Sequence, residues 1–198
     1  MNIRNVDIAR GKKKRRKMTA LWIVIGIVGV LVLVPFIIGS LLPERYEGQT
    51  EAFLAKSPEE VWAALLDYES HPMTGKMMKS VEALPETEWI VDLPAWVEDM
   101  GHGERVTVKT VEADRPVRLV RQMVSASMPM TSRWEYALEE ADGGCKLSMH
   151  GETYVRRGTW MVPIFRFMMV VGGGVKKGLD IQVDMVAKTL GVAVRRGG

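Results

Sequence analysis

Cysteine is nearly absent from this chain: Cys145 is the only one in 198 residues. No intrachain disulfide can form, which permits a location outside the cytoplasm without requiring one. Histidine is scarce too, at three residues, and none falls in a recognisable metal-ligand spacing. No internal repeat and no low-complexity segment occurs. The glycine- and lysine-rich run Gly172-Gly173-Gly174-Val175-Lys176-Lys177-Gly178 lacks the G-K-[ST] ending of a phosphate loop and a preceding strand of the right kind, so that reading is rejected. The most informative absence is of charge: residues 20–42 contain no Asp, Glu, Lys or Arg.

An α-helix of that length spans about 34 Å, slightly more than a hydrocarbon core of about 30 Å. Directly before it stands Lys12-Lys13-Lys14-Arg15-Arg16-Lys17, and basic flanks tend to stay in the cytoplasm. The expected organisation is a basic cytoplasmic tail at 1–17, a transmembrane helix at 18–43, and an extracytoplasmic domain beyond. A cleavable signal peptide would have a shorter apolar run and a clean A-x-A site; Ile38-Gly39-Ser40-Leu41-Leu42 supplies none. Pro35 is tolerable because membrane helices can satisfy a freed carbonyl locally. Trp22 sits where an indole favours the interface. Placed against the span, the basic run has lipid headgroups as its simplest partner.

Residues 1–17 carry eight Lys/Arg and one Asp; the whole chain is +3, which leaves about −4 for the rest. The outer domain is therefore mildly acidic, and nucleic acid is not an expected partner. About 150 residues suffice for one domain with its own core.

Residues 46–55 read as a first strand after a linker at 43–48. Ser57-Pro58-Glu59-Glu60 is a capping-box signature with proline in the first turn, and Val61, Trp62, Leu65, Leu66 and Tyr68 continue it at helical spacing over 58–68. An irregular stretch through Met78 leads to strand 79–84. Strands 96–100 and 104–113 flank the hairpin signal Gly101-His102-Gly103. Strands 118–125, 132–140 and 145–155 follow, the last two joined at Asp142-Gly143-Gly144. Residues 163–190 return to helical spacing, interrupted by Gly172-Gly173-Gly174, where each glycine costs about 1 kcal/mol relative to alanine. The class is α+β: a meandering antiparallel sheet that can curl around a long C-terminal helix, with 192–198 as a short tail.

This order, with several short stretches, resembles the helix-grip fold of the START-like superfamily, the polyketide cyclase/dehydrase and lipid-transport group. Ser57-Pro58-Glu59-Glu60-Val61-Trp62 is similar to its opening helix and Lys79-Ser80-Val81-Glu82 to the next strand. Trp134-Glu135-Tyr136-Ala137-Leu138 with Gly143-Gly144-Cys145-Lys146-Leu147 resembles its W-x-Y-x-L and G-G-T-x-L hairpin, and Pro163-Ile164-Phe165-Arg166-Phe167 the start of its last helix. The likeness covers residues 47–191. It departs at Thr74, where many relatives carry tryptophan, and at Cys145 in place of threonine. The resemblance implies an apolar cavity for lipids, polyketides or other hydrophobic small molecules. It does not imply one reaction, because function lives in the site rather than the fold.

No catalytic constellation emerges. Cys145 and His150 share a strand at odd separation and so point to opposite faces. His102 lies at a hairpin tip and His71 before Pro72 at a helix end. No cofactor and no metal is expected, and the oligomeric state is not set by the sequence. Methionines concentrate in the outer domain, Met123, Met149 and Met169 among them; they read either as ordinary core or as a plastic lining for an apolar ligand. The expected cavity lies between a sheet face carrying Val108, Met123, Trp134, Tyr136 and Met149 and a helix face near Phe165, Met169 and Gly173. The favoured function is a membrane-anchored domain that binds a lipid or other hydrophobic small molecule. The alternatives are an enzyme on an apolar substrate, using polar cavity residues such as Tyr136 and Glu152, and a partner-binding module with a filled core.

Overall fold

A computed structural model describes residues 3–70, 78–125, 127–156 and 158–196. The elements run α1 (Ile3–Leu41), β1 (Arg45–Leu54), α2 (Pro58–Leu66), β2 (Ser80–Ala83), β3 (Trp96–Gly101), β4 (Glu104–Asp114), β5 (Arg118–Ser125), β6 (Met130–Ala141), β7 (Gly144–Val155), α3 (Val162–Val171) and α4 (Gly174–Leu190), with one 3-10 turn at Glu86–Glu88. The seven strands form one antiparallel sheet in the order β1-β7-β6-β5-β4-β3-β2. The first strand thus pairs with the last, and the remainder is a meander of hairpins. The alternation that marks the strands in the sequence is realised as register: Tyr136 faces Met149 and Leu138 faces Leu147 across β6 and β7. All four side chains enter the core, as a period of two requires when one face is buried.

The core lies between this face and two helices. From α2 come Val61, Trp62 and Leu65; from α4 come Val175, Leu179, Val183 and Val186. The capping box closes as its chemistry demands: the Ser57 hydroxyl accepts from the Glu60 N–H at 3.3 Å, and the Ser57 N–H donates to Glu60 Oε2 at 3.0 Å. The helix ends at Leu66 rather than continuing to 68, with Asp67 as its C-cap. Tyr68 is thereby released to stack on Trp96, ring centroids 5.3 Å apart. At the sheet edge, Thr50 donates to Asp180 Oδ1 at 2.6 Å and ties β1 to α4.

Three features differ from the sequence reading. The linker is shorter, since β1 begins at Arg45 and only residues 42–44 separate it from α1. The tail beyond α4 is docked: Phe53 and Arg195 exchange backbone hydrogen bonds of 2.8 and 3.2 Å, and the Arg195 guanidinium covers the Phe53 ring at 4.2 Å. Most consequential, the C-terminal helix is two helices. Gly173 sits between them at φ 92°, a left-handed conformation that a residue with a Cβ adopts only at a cost. The chain turns there, so α4 alone is gripped by the sheet while α3 packs against α1.

That second contact is close. A Cβ built on Gly39 of α1 would stand 1.7 Å from the Pro163 carbonyl oxygen, so only glycine fits. Beside it Arg166, 4 % exposed, donates to the Leu42 carbonyl at 3.2 Å and the Val155 carbonyl at 3.0 Å, and lies 3.5 Å from Glu44. One guanidinium thus ties together α3, the end of β7 and the linker from α1. The apolar part of α1, Leu21–Leu41, is long and apolar enough to cross a membrane, and its side chains are turned outward from the body. The helix passes through Pro35 without ending.

Candidate functional site

Where the sheet opens between the end of α2 and the second half of α4, a cavity of about 40 Å³ remains. Its walls come from β3, β4, β5 and β6 through Trp96, Glu98, Val108, Arg121, Met123 and Tyr136, and from the helical side through Leu65, Tyr68, Gln182, Met185 and Thr189. Small-molecule sites usually enclose about 300–1,000 Å³, so this one is contracted and takes a group rather than a whole molecule. The reason is local. Leu179 and Val183 of α4 are fully buried and fill the core against the sheet.

The cavity centres on a buried cation. Arg121 is 4 % exposed. It lies on β5 in the inward register between Leu119 and Met123, opposite Trp134 on β6. Its guanidinium carbon stands 4.8 Å from the Trp96 ring centroid and 5.3 Å from that of Tyr136, and aromatic faces attract a cation at such distances. One terminal nitrogen donates to the Leu65 carbonyl at the end of α2, while Nε has no partner. Burial pushes the guanidinium below its usual pKa, against the opposing fields of Tyr136 and Glu98. Burial likewise pushes the Tyr136 phenol up, with Arg121 opposing. Glu98 accepts from the Trp96 indole N–H at 3.0 Å. Its carboxyl is pushed up by burial, offset in part by that bond and by Arg121.

Of the residues expected to line a cavity, Val108, Met123 and Tyr136 stand on its wall. The others are elsewhere. Met149 is packed into the core beside Leu147. Trp134 leans over Gly151 and Gly178, with its indole nitrogen buried and unpartnered. Phe165 and Met169 left the gripped helix when it broke, and belong to α3. Gly173 is the break itself, not a place of ligand approach. Cys145 and His150 do point to opposite faces: the thiol is buried, and the imidazole stands 3.6 Å from Glu152 on the outer surface. Glu152 also meets Arg45 at 2.7 Å there, away from the cavity. His102 occupies the β3–β4 turn at φ 54°. His71 and Thr74 lie outside the described residues. Arg121, Glu98, Trp96 and Met185 are among the wall residues that the sequence reading passed over. For Arg121 a signal existed, since alternation along β5 sets it on the same face as Leu119 and Met123.

Residues 47–191 match the family described as polyketide cyclase / dehydrase and lipid transport. The chain belongs to that family. Among solved structures it is similar to norcoclaurine synthase from Thalictrum flavum, as a point mutant in complex with a transition-state analogue: 14% identity, TM-score 0.54, covering 74% of this chain and 94% of that one. The same enzyme in complex with dopamine and hydroxybenzaldehyde matches at 13% identity and TM-score 0.53, over 74% and 86%. Ara h 8.0201 matches at 15% identity and TM-score 0.54, over 74% and 99%. At these identities the likeness is one of fold. No curated protein matches the chain.

Proposed function

We propose that this chain is a single-pass, membrane-anchored member of the family that binds a hydrophobic small molecule or lipid headgroup-first in the cavity between α2, α4 and the sheet. The observation that carries the reading is the wall itself. Val108, Met123 and Met185 are apolar and adaptable, and a few polar groups converge among them, the usual make-up of a ligand site. The anchor supports it from outside the site. The outward apolar surface of α1 continues into Trp160, Met161, Met168, Val170 and Val171 around α3, all exposed. Trp160 is 72 % exposed at the outer end of the span, where an indole belongs at a membrane interface.

The test is native mass spectrometry of the full chain, released from mild detergent. The expected result is one apolar molecule retained per chain, and its loss in Met123→Trp, which fills the cavity while the melting temperature is kept. The size of the cavity favours a second reading, a partner-binding module with no ligand. Wild-type spectra that show bare protein across several detergents would decide for it.

A further inference from the structure

Burying a guanidinium is expensive unless the charge is paired and its donors are satisfied. Arg121 meets neither condition within the protein. Among the described residues no carboxylate lies within ion-pair distance of it. Glu98, the nearest acidic neighbour on the wall, is committed to the Trp96 indole. Asp67, on the same wall, accepts from the Ser70 backbone N–H at 3.0 Å. The rings of Trp96 and Tyr136 stabilise the cation, and the Tyr136 hydroxyl is a further hydrogen-bond partner of the guanidinium. The Leu65 carbonyl takes one donor, and Nε–H is left buried without an acceptor.

Resting on the binding reading above, we infer that the ligand of this cavity is an apolar carboxylic acid whose carboxylate accepts from the unpartnered Nε–H of Arg121. A planar guanidinium edge is matched by a planar pair of carboxylate oxygens. The roughly 40 Å³ of free volume suits a headgroup of that size. The apolar body then leaves between Tyr68, just beyond α2, and Met185 on α4, which offer it an aromatic ring and a thioether. Neutral analogues lose twice: they supply no counter-charge, and they leave the desolvated donor unpaired.

The experiment uses the full chain in phosphatidylcholine nanodiscs, with empty discs as the partition control. Calorimetry compares 2-naphthoate with 2-naphthamide, which share one apolar body. The acid is expected to bind at least about tenfold tighter, the scale of one hydrogen bond to a charged group. Arg121→Met should bring the two affinities together by weakening the acid alone, and Arg121→Lys should restore part of the preference. In wild type with ¹⁵N-labelled arginine, the Arg121 Nε–H resonance should move with the acid and not with the amide. That spectrum and the wild-type ratio decide the question even if Arg121→Met does not fold. Equal binding of acid and amide by wild type overturns the carboxylate assignment and leaves the binding reading standing. Binding of neither probe overturns both.

Discussion

Glu98 shows how one buried side chain makes the stability of this domain depend on pH. Its carboxyl titrates above the usual carboxylate range because burial disfavours the charge. The folded state therefore favours the neutral acid. No penalty exists below the unfolded value; the penalty grows as pH rises through the window between the unfolded and the raised folded value, and is complete above it. Glu98→Gln removes the penalty and keeps an oxygen to accept from the Trp96 indole. The expected outcome is a gain at neutral pH, on the order of 1 kcal/mol as for many single substitutions, that shrinks to nothing in acid. Urea unfolding from the ordinary carboxylate range up to neutrality measures it; a gain that does not vary with pH would rule out this account. Arg121 was passed over in the sequence although the alternation along β5 marks its face. Arginine in a strand usually marks the solvent face, so alternation around it is read outward. Only the register with Leu119 and Met123 shows that it turns inward.

At the scale of elements, most of the fold was legible because each element carries its own period. The strands announce themselves through alternation, and α2 through its capping box. The direction taken after Gly172-Gly173-Gly174 was not legible. Three glycines show that a helix stops, but not where the next one points, because that is decided by contacts made over a long sequence distance. Here the deciding contact is Gly39 against Pro163. As a consequence, two of the expected wall positions, Phe165 and Met169, lie on α3, while Trp134 and Met149 pack in or against the core. The expectation that follows for α3 concerns depth. A spin label at Met168→Cys should report lipid-like oxygen accessibility in nanodiscs, while one at Ile181→Cys on α4 should report water. Cys145 is buried and stays unlabelled. Gly39→Leu, which forces α1 and α3 apart, should shift the Met168 label toward water. A water-exposed Met168 label in the unaltered background would remove α3 from the membrane surface.

For the whole molecule, the positive charge gathered in α1 ahead of its apolar part sets the expected orientation, with the domain outside the cytoplasm. A C-terminal alkaline phosphatase fusion in a bacterial host should be active, and a C-terminal fluorescent reporter that needs the cytoplasm should stay dark. The reverse pattern would invert the topology. On either side of a membrane, the domain does not hang on a flexible leash. Arg166 grips the carbonyls of Leu42 and Val155 across a joint of three linker residues, which removes the swivel that a longer tether would provide. A carrier that ferries cargo between two membranes has to leave one to reach the other. On the anchored reading proposed above, this domain would be a fixture of its own bilayer, keeping one height and one heading. Exchange of the proposed ligand would then be confined to molecules that arrive by lateral diffusion in the adjoining leaflet or from the water just above it, and any acceptor would have to come to the domain.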